Sequence, residues 1–198
     1  MAAKDIDALA ALLNLPPGRT PPAGSSGSVS LAGQLSSEAR TRLAARSEAG
    51  EAVAKAALEL AAAAGTGMSE LPATATLSDL YAAAESAFAT GDFAKAIGPL
   101  CTLLGLEGGQ DDAALALAIC AVRLEAFDQA LPLAAESLRH GSRHPRAFCI
   151  VGMCELLRGN KPAAQENLAL ATRMGRNHPE FREDMRLAQR LLLIRHFG

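Results

Sequence analysis

The chain predicts an all-α fold, a solenoid of three helix pairs with a leading helix before it and a capping helix after it. Three observations carry that expectation. Three stretches superimpose without a gap at a period of 34 residues, beginning at Leu77, Asp111 and Pro145, and a fourth start falls on Pro179. Small residues recur at the eighth position of each stretch (Ala84, Ala118, Gly152) and alanines at the twentieth (Ala96, Ala130, Ala164). Turn residues sit at one phase, Gly91-Asp92-Phe93 in the first stretch and Gly159-Asn160-Lys161 in the third.

Two antiparallel helices approach closely only where a side chain is missing at the crossing, and a 34-residue period with small residues there is the mark of the tetratricopeptide repeat. The elements follow in order. Residues 1–35 form an N-terminal extension: Ile6, Leu9, Leu12 and Leu13 have helical spacing, but the segment is too short to be stable alone. Pro16 to Gly33 is crowded with Pro, Gly and Ser, has no large apolar residue before Val29, and reads as a flexible linker. The helical domain is expected over 36–198. A leading helix over 36–64 is alanine-rich, is interrupted at Gly50, and offers a small-residue face to the first repeat or to its own copy in a homodimer.

The first repeat, 77–110, opens with Thr76 as N-cap and Asp79 three residues on, a relative of the capping box. The second, 111–144, has Glu125-Ala126-Phe127 at the turn phase, so its turn is less well specified. The third, 145–178, opens on Pro145 and places Pro162 in the first turn of its second helix. The last helix, 179–197, carries Phe181, Met185, Leu187, Ala188, Leu191, Leu192 and Ile194. A solenoid needs such a cap, because its terminal repeat otherwise leaves an apolar flank in water.

Composition narrows the function classes. About half of the 198 residues are apolar, yet no uninterrupted apolar run reaches the roughly 20 residues of a spanning helix. The start, Met1 to Asp7, lacks the basic end and apolar run of a secretory signal, so a cytosolic protein is expected. Cys101, Cys120, Cys149 and Cys154 all fall inside expected helices, which fits buried reduced thiols better than disulfides or a metal site. From Arg139 onward eleven Lys or Arg face five Asp or Glu, but the arginines are spread over several helical phases among acids. That pattern reads as a solvated outer surface, not a nucleic-acid site. His140, His144, His178 and His196 lack the spacing of metal ligands and read as surface or capping residues. Gly105 to Gly109 lacks the Lys-Ser/Thr of a phosphate loop. No catalytic site, cofactor or metal is expected.

Several short motifs occur in a telling order: Gly65-Thr66-Gly67-Met68, Leu80-Tyr81, Gly91-Asp92-Phe93 with Ala96, Cys120 and Cys154 at equal phase, His144-Pro145-Arg146-Ala147 and His178-Pro179-Glu180-Phe181. From about Glu51 to the end, the chain resembles the class II chaperones of bacterial type III secretion. The resemblance implies one leading helix, three tetratricopeptide repeats and a trailing helix. It also implies a cytosolic, non-catalytic role, holding hydrophobic translocator subunits before export by capturing a short Pro- and Leu-containing segment. The extension before about residue 36 is longer than that family's usual leader.

In a repeat array the first helices of each pair line the concave side, and positions 5, 9 and 12 form one stripe on each. Here these are Tyr81, Glu85 and Phe88, then Leu115, Ile119 and Val122, then Cys149, Met153 and Leu156. They are the candidate peptide-binding residues, with Leu115 and Val122 reading equally well as packing residues. Tyr81 and Phe88 stand out in a chain poor in aromatics, while Glu85 departs from the aromatic residue that the family tends to have there. Three functions fit: a translocator chaperone, a chaperone of a needle or filament subunit whose client is an amphipathic helix, and a repeat adaptor bridging two folded proteins.

Overall fold

The computed structural model describes residues 48–65, 76–105, 110–140, 142–176 and 178–193, and all of their regular structure is helical. The helices are α1 (Glu48–Ala63), α2 (Leu77–Thr90), α3 (Phe93–Gly105), α4 (Gln110–Arg123), α5 (Phe127–Arg139), α6 (Pro145–Leu157), α7 (Lys161–Gly175) and α8 (Arg182–Leu193). A 3-10 turn, Pro179–Phe181, leads into α8. The N-terminal extension 1–35, the first part of the expected leading helix, the Gly-Thr-Gly-Met motif beyond Gly65, most of the glycine-rich Gly105 to Gly109 stretch and the end of the last helix lie outside the described residues.

Local chemistry explains where the helices begin. Thr76 caps α2, its hydroxyl accepting from the Asp79 N–H at 3.3 Å while the Asp79 carboxylate accepts from the Thr76 N–H at 2.8 Å. The reciprocal pair satisfies two donors that would otherwise lack intrahelical partners. At α6 the cap is a histidine: Nδ1 of His144 accepts from the Arg146 N–H at 3.1 Å, and Pro145, which has no N–H to satisfy, fills the first helical position.

The helix ends are where the 34-residue period becomes geometry. Gly91, Glu125 and Gly159 have φ of +73°, +60° and +78°, so all three turns pass through the left-handed region at one phase. The next N–H reaches back to close each helix, Asp92 to the Ala87 carbonyl at 2.9 Å, Ala126 to that of Ala121 at 2.8 Å and Asn160 to that of Glu155 at 2.9 Å. These are Schellman closures. The second turn, which its residues leave poorly specified, therefore matches the other two, with a glutamate held where its neighbours have glycine.

Connections of two or three residues fold α3, α5 and α7 back on α2, α4 and α6, and each helix also packs on the one that follows it. The small positions sit at these crossings. Ala96, Ala130 and Ala164 are fully buried, as is Ala118, and Ala84 is nearly so. At Gly152 a Cβ would stand 2.7 Å from Cγ of Leu168 and 3.2 Å from the Ala164 carbonyl oxygen, so only glycine lets α6 and α7 meet at this distance. Gly175 plays the same part against α8, where an added Cβ would lie 2.9 Å from Cβ of Met185.

α1 packs on α5 and, less extensively, on α3. Val53, Ala54, Ala56, Ala57 and Leu60 are its buried face, and Gln129 donates to the Glu59 carboxylate at 3.1 Å across the contact. The small-residue face that the sequence offers to a repeat or to a second copy is thus covered within the chain. Gly50, expected to interrupt this helix, is buried inside it. At the other end α8 packs on α7 and α6 through Leu187, Ala188 and Leu191, with the 3-10 turn standing where the sequence suggested the helix itself would start.

Candidate functional site

α2, α4, α6 and α8 all contribute to one hollow of about 410 Å³. Its walls are mostly apolar, from Phe88 on α2, Phe93 at the start of α3, Ile119 and Val122 on α4, Ile150 and Met153 on α6, and Leu187 on α8. Phe88 and Phe93 meet edge to face, ring centroids 5.4 Å apart, and the Arg123 guanidinium lies 4.6 Å above the Phe93 ring. A cation stacked over an aromatic face keeps its charge while its stem covers apolar surface.

Five of the nine candidate residues line this hollow: Phe88, Ile119, Val122, Cys149 and Met153. The other four do not. Tyr81, Leu115 and Leu156 are half-buried against the core, and Glu85 is exposed on α2. Among the five, Phe88 and Ile119 offer surface to a ligand, whereas Cys149 and Met153 are 1% exposed and Val122 5%. The last three are core residues that form the floor, as apolar side chains at helical spacing usually are.

Phe93, Arg123, His144, Arg146, Ile150, Asp184 and Leu187 complete the lining and were not among the candidates. Leu187 was within reach of the sequence, because it is the ninth position of a fourth repeat counted from Pro179, in phase with Ile119 and Met153. Arg146 and Asp184 gave no such signal. They are 38 residues apart, yet Nε of Arg146 pairs with the Asp184 carboxylate, their side chains 18% and 6% exposed. A carboxylate buried this deeply is tolerable only because a charge-assisted bond replaces its water.

His144 sits beside that pair, its ring 4.8 Å from Phe181. Burial, first, and the nearby Arg146 guanidinium depress its pKa below 6.5, with Asp184 and Asp112 opposing them. It therefore stays neutral near pH 7, which the cap requires, since only an unprotonated Nδ1 can accept from the Arg146 N–H. The other histidines described are peripheral: His178 pairs with Glu180 at 2.9 Å and His140 with Glu136 at 3.1 Å.

The thiol of Cys149 donates to the Asp184 carbonyl at 3.4 Å. Burial pushes it, and likewise Cys101, Cys120 and Cys154, up to about 12. A thiol that does not ionise near neutrality is a poor nucleophile and a poor metal ligand. All four are free and buried. Among the described residues no three His, Cys, Asp or Glu side chains gather as a metal site, and no helix is long and apolar enough to cross a membrane. What the arrangement can do is bind: a mostly apolar recess of this volume, within the roughly 300–1,000 Å³ of ligand pockets, with a few charged groups in its lining.

No protein-family model, no curated protein and no solved structure matches the chain.

Proposed function

We propose that the chain is a tetratricopeptide-repeat chaperone of a bacterial type III secretion system. It works in the cytosol, holding hydrophobic translocator subunits in the hollow between α2, α4, α6 and α8 until export. The observation that carries this reading is the hollow itself, an apolar recess shared by the first helices of three pairs whose turns recur every 34 residues. The ordered motifs from Glu51 onward support the choice of family. Shielding one apolar segment of a client lowers its tendency to aggregate or to enter a membrane too early. A homodimer through α1 would use the outward side of that helix, where Leu58 is 45% exposed.

Co-expression with the translocators of the same secretion system tests the reading. The client is expected to be insoluble or degraded when made alone, and soluble in complex with this chain. Phe88→Glu or Ile119→Glu, each placing a carboxylate in the hollow, should abolish the complex while leaving helical content unchanged; Tyr81→Ala, outside the hollow, should preserve it. Translocators that remain soluble without the chain, or that bind the Phe88→Glu form equally well, would refute the proposal. A chain whose partners are all stable alone is an adaptor instead.

A further inference from the structure

α8 has two unlike sides. Asp184, Leu187, Ala188 and Leu191 are its buried face, packed on α7 and α6. At about 3.6 residues per turn, Arg182, Arg186 and Arg190 fall on the opposite side, one above another at intervals of four, and all three are exposed. Glu183, Gln189 and Leu193 share that side, which leaves it a net double positive charge. The other carboxylates nearby are engaged: Asp184 pairs with Arg146, and Glu180 with His178. Among the described residues no carboxylate forms an ion pair with any of the three arginines.

The fold itself gains nothing from this arrangement. Like charges four residues apart repel along a helix, and a cation in the first turn, as Arg182 is, opposes the helix dipole. Over the whole basic half of the chain the arginines occupy several phases, so their alignment is a property of α8.

The chemistry of the stripe selects its occupant. A guanidinium presents a flat fork of N–H donors that fits a carboxylate two bonds at a time. The three forks stand about 6 Å apart along the helix axis, the same step that separates carboxylates at intervals of four on a second helix. Each helix from α2 to α8 already packs on its successor, and the outer side of α8 is where a further helix would lie. A long polyanion fits less well. The residues before Arg139 carry eight Lys or Arg against sixteen Asp or Glu, so a nucleic acid or an anionic bilayer extending past the stripe meets a chain of its own sign. No aromatic ring stands in the stripe for bases to stack on, and the apolar side of α8 is buried in the fold instead of being open to lipid.

We infer that the outer side of α8 docks an acidic helix of a partner protein, one that carries carboxylates at intervals of four on a single face. Leu187 and Asp184, which line the hollow, belong to the buried side of the same helix, so the partner and a client can be held together. The inference does not depend on what the hollow binds.

The test uses the full chain and two fluorescent alanine-rich helical peptides of one composition, the first with glutamates at i, i+4 and i+8, the second with the same glutamates spread over three faces. The aligned peptide should bind the native chain more tightly than the scattered one, and added salt should weaken it. Changing Arg182→Gln, Arg186→Gln and Arg190→Gln together should weaken it about tenfold, the combined worth of three exposed ion pairs. The thermal melt of that variant should be unchanged or higher, because the repulsion along α8 is gone; this separates loss of docking from loss of fold. Equal binding of the two peptides, or equal binding of the aligned peptide to the native and variant chains, would overturn the inference. So would tighter binding of a single-stranded RNA oligonucleotide or of phosphatidylserine vesicles, since either would make a polyanion the occupant. Client capture should be the same for the native and variant chains, and its loss from a folded variant would overturn the separation of the two sites. Peptide docking without capture of any client by either chain would reject the chaperone reading and leave this one standing.

Discussion

Glu125 is held at φ +60° in a turn whose counterparts are Gly91 and Gly159. A left-handed backbone costs a residue with a Cβ about 1–2 kcal/mol, because that carbon crowds the following carbonyl oxygen. Replacement by glycine removes that cost, but gives the unfolded chain more freedom, worth about 0.5–1 kcal/mol in the other direction. Glu125 is exposed, so no buried contact is lost with its side chain. The net expectation for Glu125→Gly is stabilisation by about 0.5–1 kcal/mol, a rise in Tm of about 1–4 °C for a domain of this size. The reverse substitutions complete the argument. An added Cβ at Gly91 or Gly159 meets nothing within 4 Å, so Gly91→Ala and Gly159→Ala should show the dihedral cost less the same unfolded-state term, a net loss of about 0.5–1 kcal/mol each. Thermal and urea unfolding followed by circular dichroism would read all three, with the urea slope unchanged if only the native turn is altered. A Glu125→Gly chain that melts lower than the native one would mean that the turn is not strained.

Gly152→Ala should destabilise the fold by about 1–2 kcal/mol. Helix propensity alone predicts the opposite sign, but a Cβ 2.7 Å from Cγ of Leu168 forces α6 and α7 apart, and thermal melts decide between the two. Asp184→Asn should cost about 3–5 kcal/mol in chemical denaturation, because it leaves the Arg146 guanidinium buried without its counter-charge; the double change Arg146→Met, Asp184→Leu should recover much of that loss. His144 has a depressed pKa in the fold, so the unfolded chain binds the proton more readily. Its contribution is fully present above about pH 6.5 and is lost as pH falls through the lower folded value. His144→Asn should therefore flatten the fall in Tm between about pH 7 and pH 5, and an unaltered profile would assign that fall to other groups.

Much of the helical plan was legible because it repeats. The capping pair Thr76 and Asp79, the turn glycines 91 and 159, and the small residues at the eighth and twentieth positions each follow from a local steric or hydrogen-bonding need, and all are found where the period puts them. Glu125 was not legible as a left-handed residue, because propensity disfavours it and only the pull of the flanking helices holds it there. Pro99 and Pro132 likewise lie inside α3 and α5, where local rules place a helix break; packing of the surrounding helix faces overrides the missing N–H. The site was half legible. Periodicity finds side chains that share a helix face, such as Ile119 and Val122, but cannot say which of them face a recess and which fill the core. The Arg146–Asp184 pair depends on α8 meeting α6, a tertiary contact with no local signal.

Capture of the tagged full chain from its native cell, with mass spectrometry of what remains bound and the Phe88→Glu chain in parallel, decides whether the hollow holds a translocator. A stoichiometric partner with two long apolar segments is expected on the native chain and is expected to be lost from the variant. Recovery of only folded soluble proteins without such segments, or equal recovery by both chains, would contradict that expectation.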